Sequence, residues 1–166
     1  MKRGLWLLLM AWAVSLPALA ESMHGVVIVV IDGDTVLFKP DHVGARSRFF
    51  LKIRLADIDA PEKDQAYGAL ATQALSTMVL KQPIEISTVA TDVYGRTLAY
   101  LQRGAIDVNT EMVRLGYAWT STRYQRRTDL LTLQEEARRA RRGLWGDDAQ
   151  PTPPWDWRRA QSMAVH

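Results

Sequence analysis

The chain has 166 residues, 48% of them hydrophobic, with no cysteine and 21 basic against 18 acidic side chains. That length carries one domain with a core of its own, and the lack of thiols excludes a disulfide framework, thiolate zinc and cysteine catalysis. Two of the basic residues, Lys2 and Arg3, belong to the leader described next, so the rest carries about +1 and total charge says little about nucleic-acid binding.

Residues 1–20 have the form of a secretory signal peptide: a positive start, an apolar run from Leu5 to Val14 and the small-residue end Ala18-Leu19-Ala20. The run is too short for a spanning helix. No later stretch is apolar for long enough to cross a bilayer, so residues 21–166 are expected to be exported, periplasmic or extracellular, without stable membrane association. Val26 to Ile31 and Thr35 to Phe38 read as two strands joined by the tight turn Asp32-Gly33-Asp34. Phe49 to Ile58 reads as a third strand, with Leu51, Ile53 and Leu55 on one face and Lys52 and Arg54 on the other.

Pro61 ends that strand. Leu70, Ala71, Ala74, Leu75 and Met78 recur at helical spacing, and Gln82-Pro83 closes the helix. Ile84 to Val89 and Thr97 to Leu101 read as strands four and five, around the turn Asp92-Val93-Tyr94-Gly95-Arg96. A short helix follows from Val108 to Leu115, with Asp107 as its cap and Gly116 as its stop. Thr128 can cap a last helix, whose Leu130, Leu133, Ala137 and Ala140 make one apolar stripe ending at Gly143. Five strands and about three helices, without repeats, predict an α+β fold built on a five-stranded antiparallel OB-type β-barrel. The domain spans residues 21–146. Residues 147–166, rich in Pro and Trp, read as an extended tail whose aromatics clasp the domain surface.

Cysteine is absent, and His24, His42 and His166 are too scattered for a local metal motif. No Gly-x-Ser-x-Gly elbow is present either. Acidic residues and arginines remain. Each phrase alone has a plain reading: Asp32-Gly33-Asp34 is a turn, Asp57, Asp59 and Glu62 a solvated loop, and Tyr94-Gly95-Arg96 a hairpin tip. Two carboxylates such as Asp34 and Asp59 also suit a hard cation, Ca²⁺ or Mg²⁺, with carbonyl and water oxygens completing the shell. Arginine presents a planar fork to phosphate oxygens that lysine cannot match.

In combination, Asp32-Gly33-Asp34-Thr35, Arg54 to Glu62 and Asp92 to Arg96 resemble the staphylococcal nuclease (thermonuclease) family, from about Val26 to Trp145. Tyr67-Gly68, Val108-Asn109, Val113 to Gly116 and Gly143-Leu144-Trp145 extend the resemblance. It implies that Asp34, Asp59 and the Ala60 carbonyl bind one Ca²⁺, with Asp32 as a carboxylate just outside the ligands. Glu62 is implied as general base, and Arg54 and Arg96 as the pair holding the scissile phosphate. A carboxylate of ordinary pKa is a weak base at neutral pH, so orienting the water and taking its proton both stay open for Glu62. On a regular strand Arg54 and Asp59 face opposite sides, and the resemblance implies a bend before Pro61 that brings them together.

The chain departs from the family pattern in places. Ala60 stands where the best-known members have threonine, Val93 replaces a lysine, and Thr122 replaces the first of two pocket tyrosines, of which Tyr124 keeps the second. The loop from Glu62 to Tyr67 is also shorter. Tyr94, Tyr124, Arg123, Arg126 and Arg127 are expected to contact nucleic acid. The function implied is a monomeric, exported, Ca²⁺-dependent endonuclease that cuts DNA or RNA with little sequence choice and leaves 3′-phosphate ends. The alternative is an OB-fold protein that binds nucleic acid without cutting it.

Overall fold

The computed structural model describes residues 22–44, 46–121, 127–146 and 150–164. The expected leader, the pocket positions Thr122 and Tyr124, and the expected nucleic-acid contacts Arg123 and Arg126 lie outside the described residues. In chain order the elements are β1 (Ser22–Val30), β2 (Thr35–Pro40), β3 (Leu51–Leu55), β4 (Ile58–Asp59), α1 (Gly68–Val79), β5 (Pro83–Thr91), β6 (Thr97–Arg103) and β7 (Ile106–Asp107). They continue as α2 (Val108–Arg114), β8 (Trp119–Thr120), α3 (Asp129–Arg139), a 3-10 turn at Gly143–Trp145, and α4 (Pro154–Ala164).

The expected OB-type barrel is present, with neighbours in the order β3-β2-β1-β5-β6. Its closing pair, β3 with β6, is parallel rather than antiparallel. The reason is arithmetic: strands that alternate in direction close a ring only when their number is even, so five strands must include one parallel neighbour. Bulges at Ile28 in β1 and Val89 in β5 break the register, and the extra twist at such sites helps a short sheet curl shut. Alternate residues fill the interior: Val27, Val36, Phe38, Ile53, Leu55, Ile84, Ile86 and Leu101 are all buried. Helix α1 lays its stripe of Ala71, Leu75 and Val79 on this core.

The third strand is shorter than its alternation predicts, because the chain turns at Asp57, whose φ is 61°. Left-handed backbone is uncommon outside glycine and is tolerated by aspartate more readily than by most residues. Three contacts hold it. The Ala56 carbonyl accepts from the fully buried Asn109 amide at 2.9 Å. The Asp57 carbonyl accepts from the Ser121 N–H at 2.8 Å, and the Asp57 carboxylate from the Tyr100 hydroxyl at 2.6 Å. After the turn, β4 pairs with β8.

A smaller core gathers Trp119, Ala137, Leu144 and Trp145, with Tyr67 and Trp155 packed on it. Two glycines let its chains meet: Gly116 has φ 76°, Gly143 has φ 51°, and a Cβ on either would lie within 2.4 Å of the other segment's carbonyl oxygen. Asp107 caps α2 by accepting from the Thr110 N–H. Thr128 precedes α3 as expected, but its hydroxyl makes no cap bond. The tail differs most from expectation: Pro154 to Ala164 is helical, not extended. Proline suits the first turn of a helix, where its missing N–H costs nothing, and Asp156 adds a favourable negative charge there. No helix among the described residues is long and apolar enough to cross a membrane.

Candidate active site

The β1–β2 turn places two carboxylates with different surroundings. Asp32 closes the turn by accepting from the Asp34 N–H at 3.0 Å. The Asp34 side chain points inward and is 4% exposed. Its Oδ1 accepts from the Thr35 hydroxyl at 2.9 Å and from Arg54 Nη1 at 2.5 Å. Its Oδ2 accepts from the Ala60 N–H at 2.9 Å. Arg54 stands opposite Thr35 in the β2–β3 register, which is why it reaches the turn. Its other nitrogen, Nη2, donates to Asp59 Oδ1 at 2.8 Å. The left-handed turn at Asp57 is thus the bend that Arg54 and Asp59 require.

Charge is unbalanced here. Burial pushes the Asp34 carboxyl up from the ordinary carboxylate range. Arg54 opposes the rise, while Asp32 and Asp59 add to it. Burial also works against the Arg54 guanidinium, yet Asp34 and Asp59 raise its pKa and keep it charged. Among the described residues, no group of three or more His, Cys, Asp or Glu side chains is arranged to hold a metal ion. The chemistry on offer is that of two carboxylates, Asp34 and Asp59, next to the Ala60 main chain. Hard oxygen donors carrying buried negative charge fit a divalent cation that takes its remaining ligands from carbonyl, water or substrate oxygen.

Glu62 follows Pro61 in a turn tied by Gln65, whose N–H donates to the Glu62 carbonyl at 2.9 Å and whose Oε1 accepts from the Glu62 N–H at 3.1 Å. Arg96 sits at the end of the β5–β6 hairpin. Asp92 Oδ1 accepts from the N–H groups of Tyr94 and Arg96, and its Oδ2 from Arg96 Nε at 2.7 Å. The arginine carbon lies 5.5 Å from the exposed Tyr94 ring. Val93 is the most exposed large apolar residue described, at 87%.

A cleft of about 850 Å³ joins these groups: Asp32, Arg54, Asp59, Glu62, Tyr94 and Arg96 all line it, as does Lys52. Ala60 and Asp34 are buried just behind Arg54 and Asp59. Three segments distant in sequence therefore converge on one site.

Arg127 does not join them. It bridges the Asp107 cap of α2 to Asp129 at the start of α3, and also donates to the Thr110 hydroxyl. In this place it clamps the starts of α2 and α3 together, and its guanidinium carbon lies 5.9 Å from the centre of the Tyr100 ring. Tyr124, Arg123 and Arg126 lie outside the described residues.

Helix α4 also lines the cleft, a contribution that the sequence does not announce. Trp155, Arg158, Arg159 and Ser162 of α4 line it, at the i, i+3, i+4, i+7 spacing of one helical face. Arg158 donates to Glu62 Oε1 at 2.6 Å and to Asp59 Oδ1 and Oδ2 at 3.1 and 2.7 Å. The only signal in the sequence was the basic pair Arg158-Arg159, which reads equally well as a solvated tail.

A family model described as staphylococcal nuclease homologue matches residues 52–147. A micrococcal nuclease of Shigella flexneri is 38% identical over 165 residues, covering 92% of this chain and 90% of its own length. An uncharacterized endonuclease of Escherichia coli O157:H7 is 41% identical over 145 residues, covering 87% of this chain and 90% of its own. One from Haemophilus influenzae is 36% identical over 137 residues, covering 82% and 74%.

Proposed function

The chain belongs to the staphylococcal nuclease family and is a hydrolase acting on nucleic acid; on that premise we propose that it is an exported, Ca²⁺-dependent endonuclease giving 3′-phosphate ends. One observation carries the reading: Asp34, Arg54, Asp59, Glu62 and Arg96 come from three separated segments and meet at one cleft. A solvated loop and two hairpin turns with unrelated roles give no reason for that convergence.

The roles are those that the family resemblance implies, and the contacts described above support them. Asp34 and Asp59, with the Ala60 carbonyl, would hold the cation, and Asp32 shapes the turn beside it. The cation, when bound, supplies positive charge to a phosphate oxygen and to the attacking water. Arg54 and Arg96 both line the cleft, and their guanidinium charge would meet the charge that builds up on the equatorial phosphate oxygens. Asp92 fixes the Arg96 side chain by its Nε and so leaves the terminal fork for substrate. Glu62, at the rim, is placed to orient the water and accept its proton. Tyr94 offers a face for a base or sugar next to the scissile bond.

Residues 1–20 carry the export signal on this reading, and the exported product begins at Glu21 and acts as a monomer. The test uses residues 21–166 as one purified chain. Plasmid DNA and a long RNA should be degraded with CaCl₂ and spared with chelator. Products should resist polymerase extension until a phosphatase has removed their 3′-phosphates. Glu62→Gln should lower turnover by about two to four orders of magnitude, the usual range for a positioned acid-base group. Binding of polymer without cleavage by the unmodified chain would replace this reading with that of a nucleic-acid-binding barrel.

A further inference from the structure

The C-terminal helix lies beyond the segment that the family model matches, yet it reaches the centre of the site. We propose that Arg158, which also holds Glu62, competes with the divalent cation for Asp59, so that α4 sets how tightly this nuclease binds its metal. The inference rests on the reading of Asp59 as a cation ligand.

The placement of Arg158 is built, not incidental. Helix α4 is anchored just before it: Pro154 is buried, and the Trp155 ring meets Trp119 edge-on at 6.4 Å between centroids. The Thr152 carbonyl accepts from Gln65 Nε2 at 2.6 Å. Gln65 is the same residue that ties the Glu62 turn, so the tail and the Glu62 loop are one packed unit. Arg158 follows Trp155 by three residues, which puts it on the same face and over the carboxylates. From there its fork covers both oxygens of Asp59 and reaches Glu62 with the nitrogen it shares between them. Bonding to Asp59, then to Glu62, raises the arginine pKa against the effect of partial burial.

Asp59 thereby serves two guanidinium groups, Arg54 on one oxygen and Arg158 on both. A divalent cation on the same carboxylate would stand within a few ångströms of the Arg158 charge, and the two repel. Cation binding therefore favours release of Asp59 by Arg158, the more exposed of its two guanidinium partners, and with it release of Glu62. The helix itself can stay docked through Trp155, because only the guanidinium has to turn. Nearly half of the Arg158 side chain is exposed, so there is room for it to turn toward solvent or an incoming phosphate. Arg159, one residue on, pairs instead with Asp156 of its own helix. It adds a similar charge without touching Asp59 or Glu62.

The test is calorimetric titration of CaCl₂ into residues 21–166, without substrate, for the unmodified chain and for Arg158→Ala, Arg158→Gln and Arg159→Ala. When the binding-competent form is the minor one, removing the competing contact raises apparent affinity by the inverse of its population. Both Arg158 variants should therefore bind Ca²⁺ roughly tenfold more tightly. Arg159→Ala should stay within about twofold, since general electrostatics at an exposed site is weak. Glutamine keeps most of the stem, so agreement between the two Arg158 variants separates the lost charge from lost packing. Unchanged or weaker Ca²⁺ binding in both would overturn the inference. If cleavage stayed Ca²⁺-dependent in that case, the nuclease reading would stand alone. Absence of Ca²⁺ binding in every protein would overturn the metal assignment and this inference with it.

Discussion

Arg54→Met tests whether the buried charges at the centre of the site are balanced in the way the geometry indicates. Methionine keeps most of the aliphatic stem and removes the guanidinium that spans Asp34 and Asp59. The two carboxylates are then left unequal. Asp59 keeps Arg158, whereas Asp34, 4% exposed, keeps only the neutral Thr35 hydroxyl and Ala60 N–H among its hydrogen-bond partners. Removing one partner of a buried pair costs about 3–5 kcal/mol. The two remaining donors favour the lower end, so about 3 kcal/mol is expected. At roughly 3 °C per kcal/mol for a domain of this size, the melting temperature should fall by about 10 °C in the presence of chelator. Saturating CaCl₂ should restore most of the loss, because ligand at a hundredfold excess over its Kd contributes about 2.7 kcal/mol. Urea titrations with unchanged slope and a shifted midpoint would confirm that stability, not compactness, has changed. A loss below about 1 kcal/mol would refute the view of Arg54 as the charge-balancing hub. A full loss that Ca²⁺ does not repair would remove the two carboxylates from the metal site.

Other outcomes follow from the same contacts. Arg96→Lys should lower turnover nearly as far as Glu62→Gln, because the charge survives but the fork and its Nε bond to Asp92 do not; a silent variant would make Arg96 a surface turn residue. Arg127→Ala should lower stability by about 1 kcal/mol, through its contacts with Asp107, Thr110 and Asp129. The salt dependence of polymer cleavage should not change, and a flattened salt slope would return Arg127 to the substrate path. Gly33→Ala would set a methyl 2.7 Å from the methyls of both Ala60 and Ala71. Such overpacking costs about 1–3 kcal/mol, and because Ala60 must shift, calorimetry should show weaker Ca²⁺ binding; unchanged binding would mean that α1 alone gives way.

The parts of this site that could be read from the sequence are those whose cause is local. Asp32 and Asp34 flank a glycine between two β-branched runs, so their turn declares itself. Asp92 to Arg96 does the same between strands, and Asp107 and Gly116 mark the ends of α2. The turn at Asp57 could not be read, because a left-handed aspartate in an alternating apolar stretch leaves no trace in periodicity. It is set by partners 43, 52 and 64 positions away, Tyr100, Asn109 and Ser121. Arg127 and Arg158 show the same limit from the other side. Both sit in basic runs that suggest phosphate contact. Only the fold reveals that one clamps two helix ends and the other faces carboxylates.

Those carboxylates explain why a nearly neutral chain can act on a polyanion. The cleft is lined by five acidic side chains, Asp32, Asp57, Asp59, Glu62 and Asp92, and by five basic ones, Lys52, Arg54, Arg96, Arg158 and Arg159. Asp34 lies buried behind them with its carboxyl pushed up to about 7, so the described lining is balanced in charge and by itself offers a phosphodiester no net attraction. On the proposed reading, a divalent cation on Asp34 and Asp59 would add positive charge beside the scissile phosphate and free Arg158 to add its own. Metal and substrate binding are then coupled through electrostatics, so polymer should bind more tightly in CaCl₂ than in chelator even when Glu62→Gln prevents cleavage. Equal affinity of that variant for polymer under both conditions would show that the arginines alone hold the substrate, and that the cation serves only the chemical step.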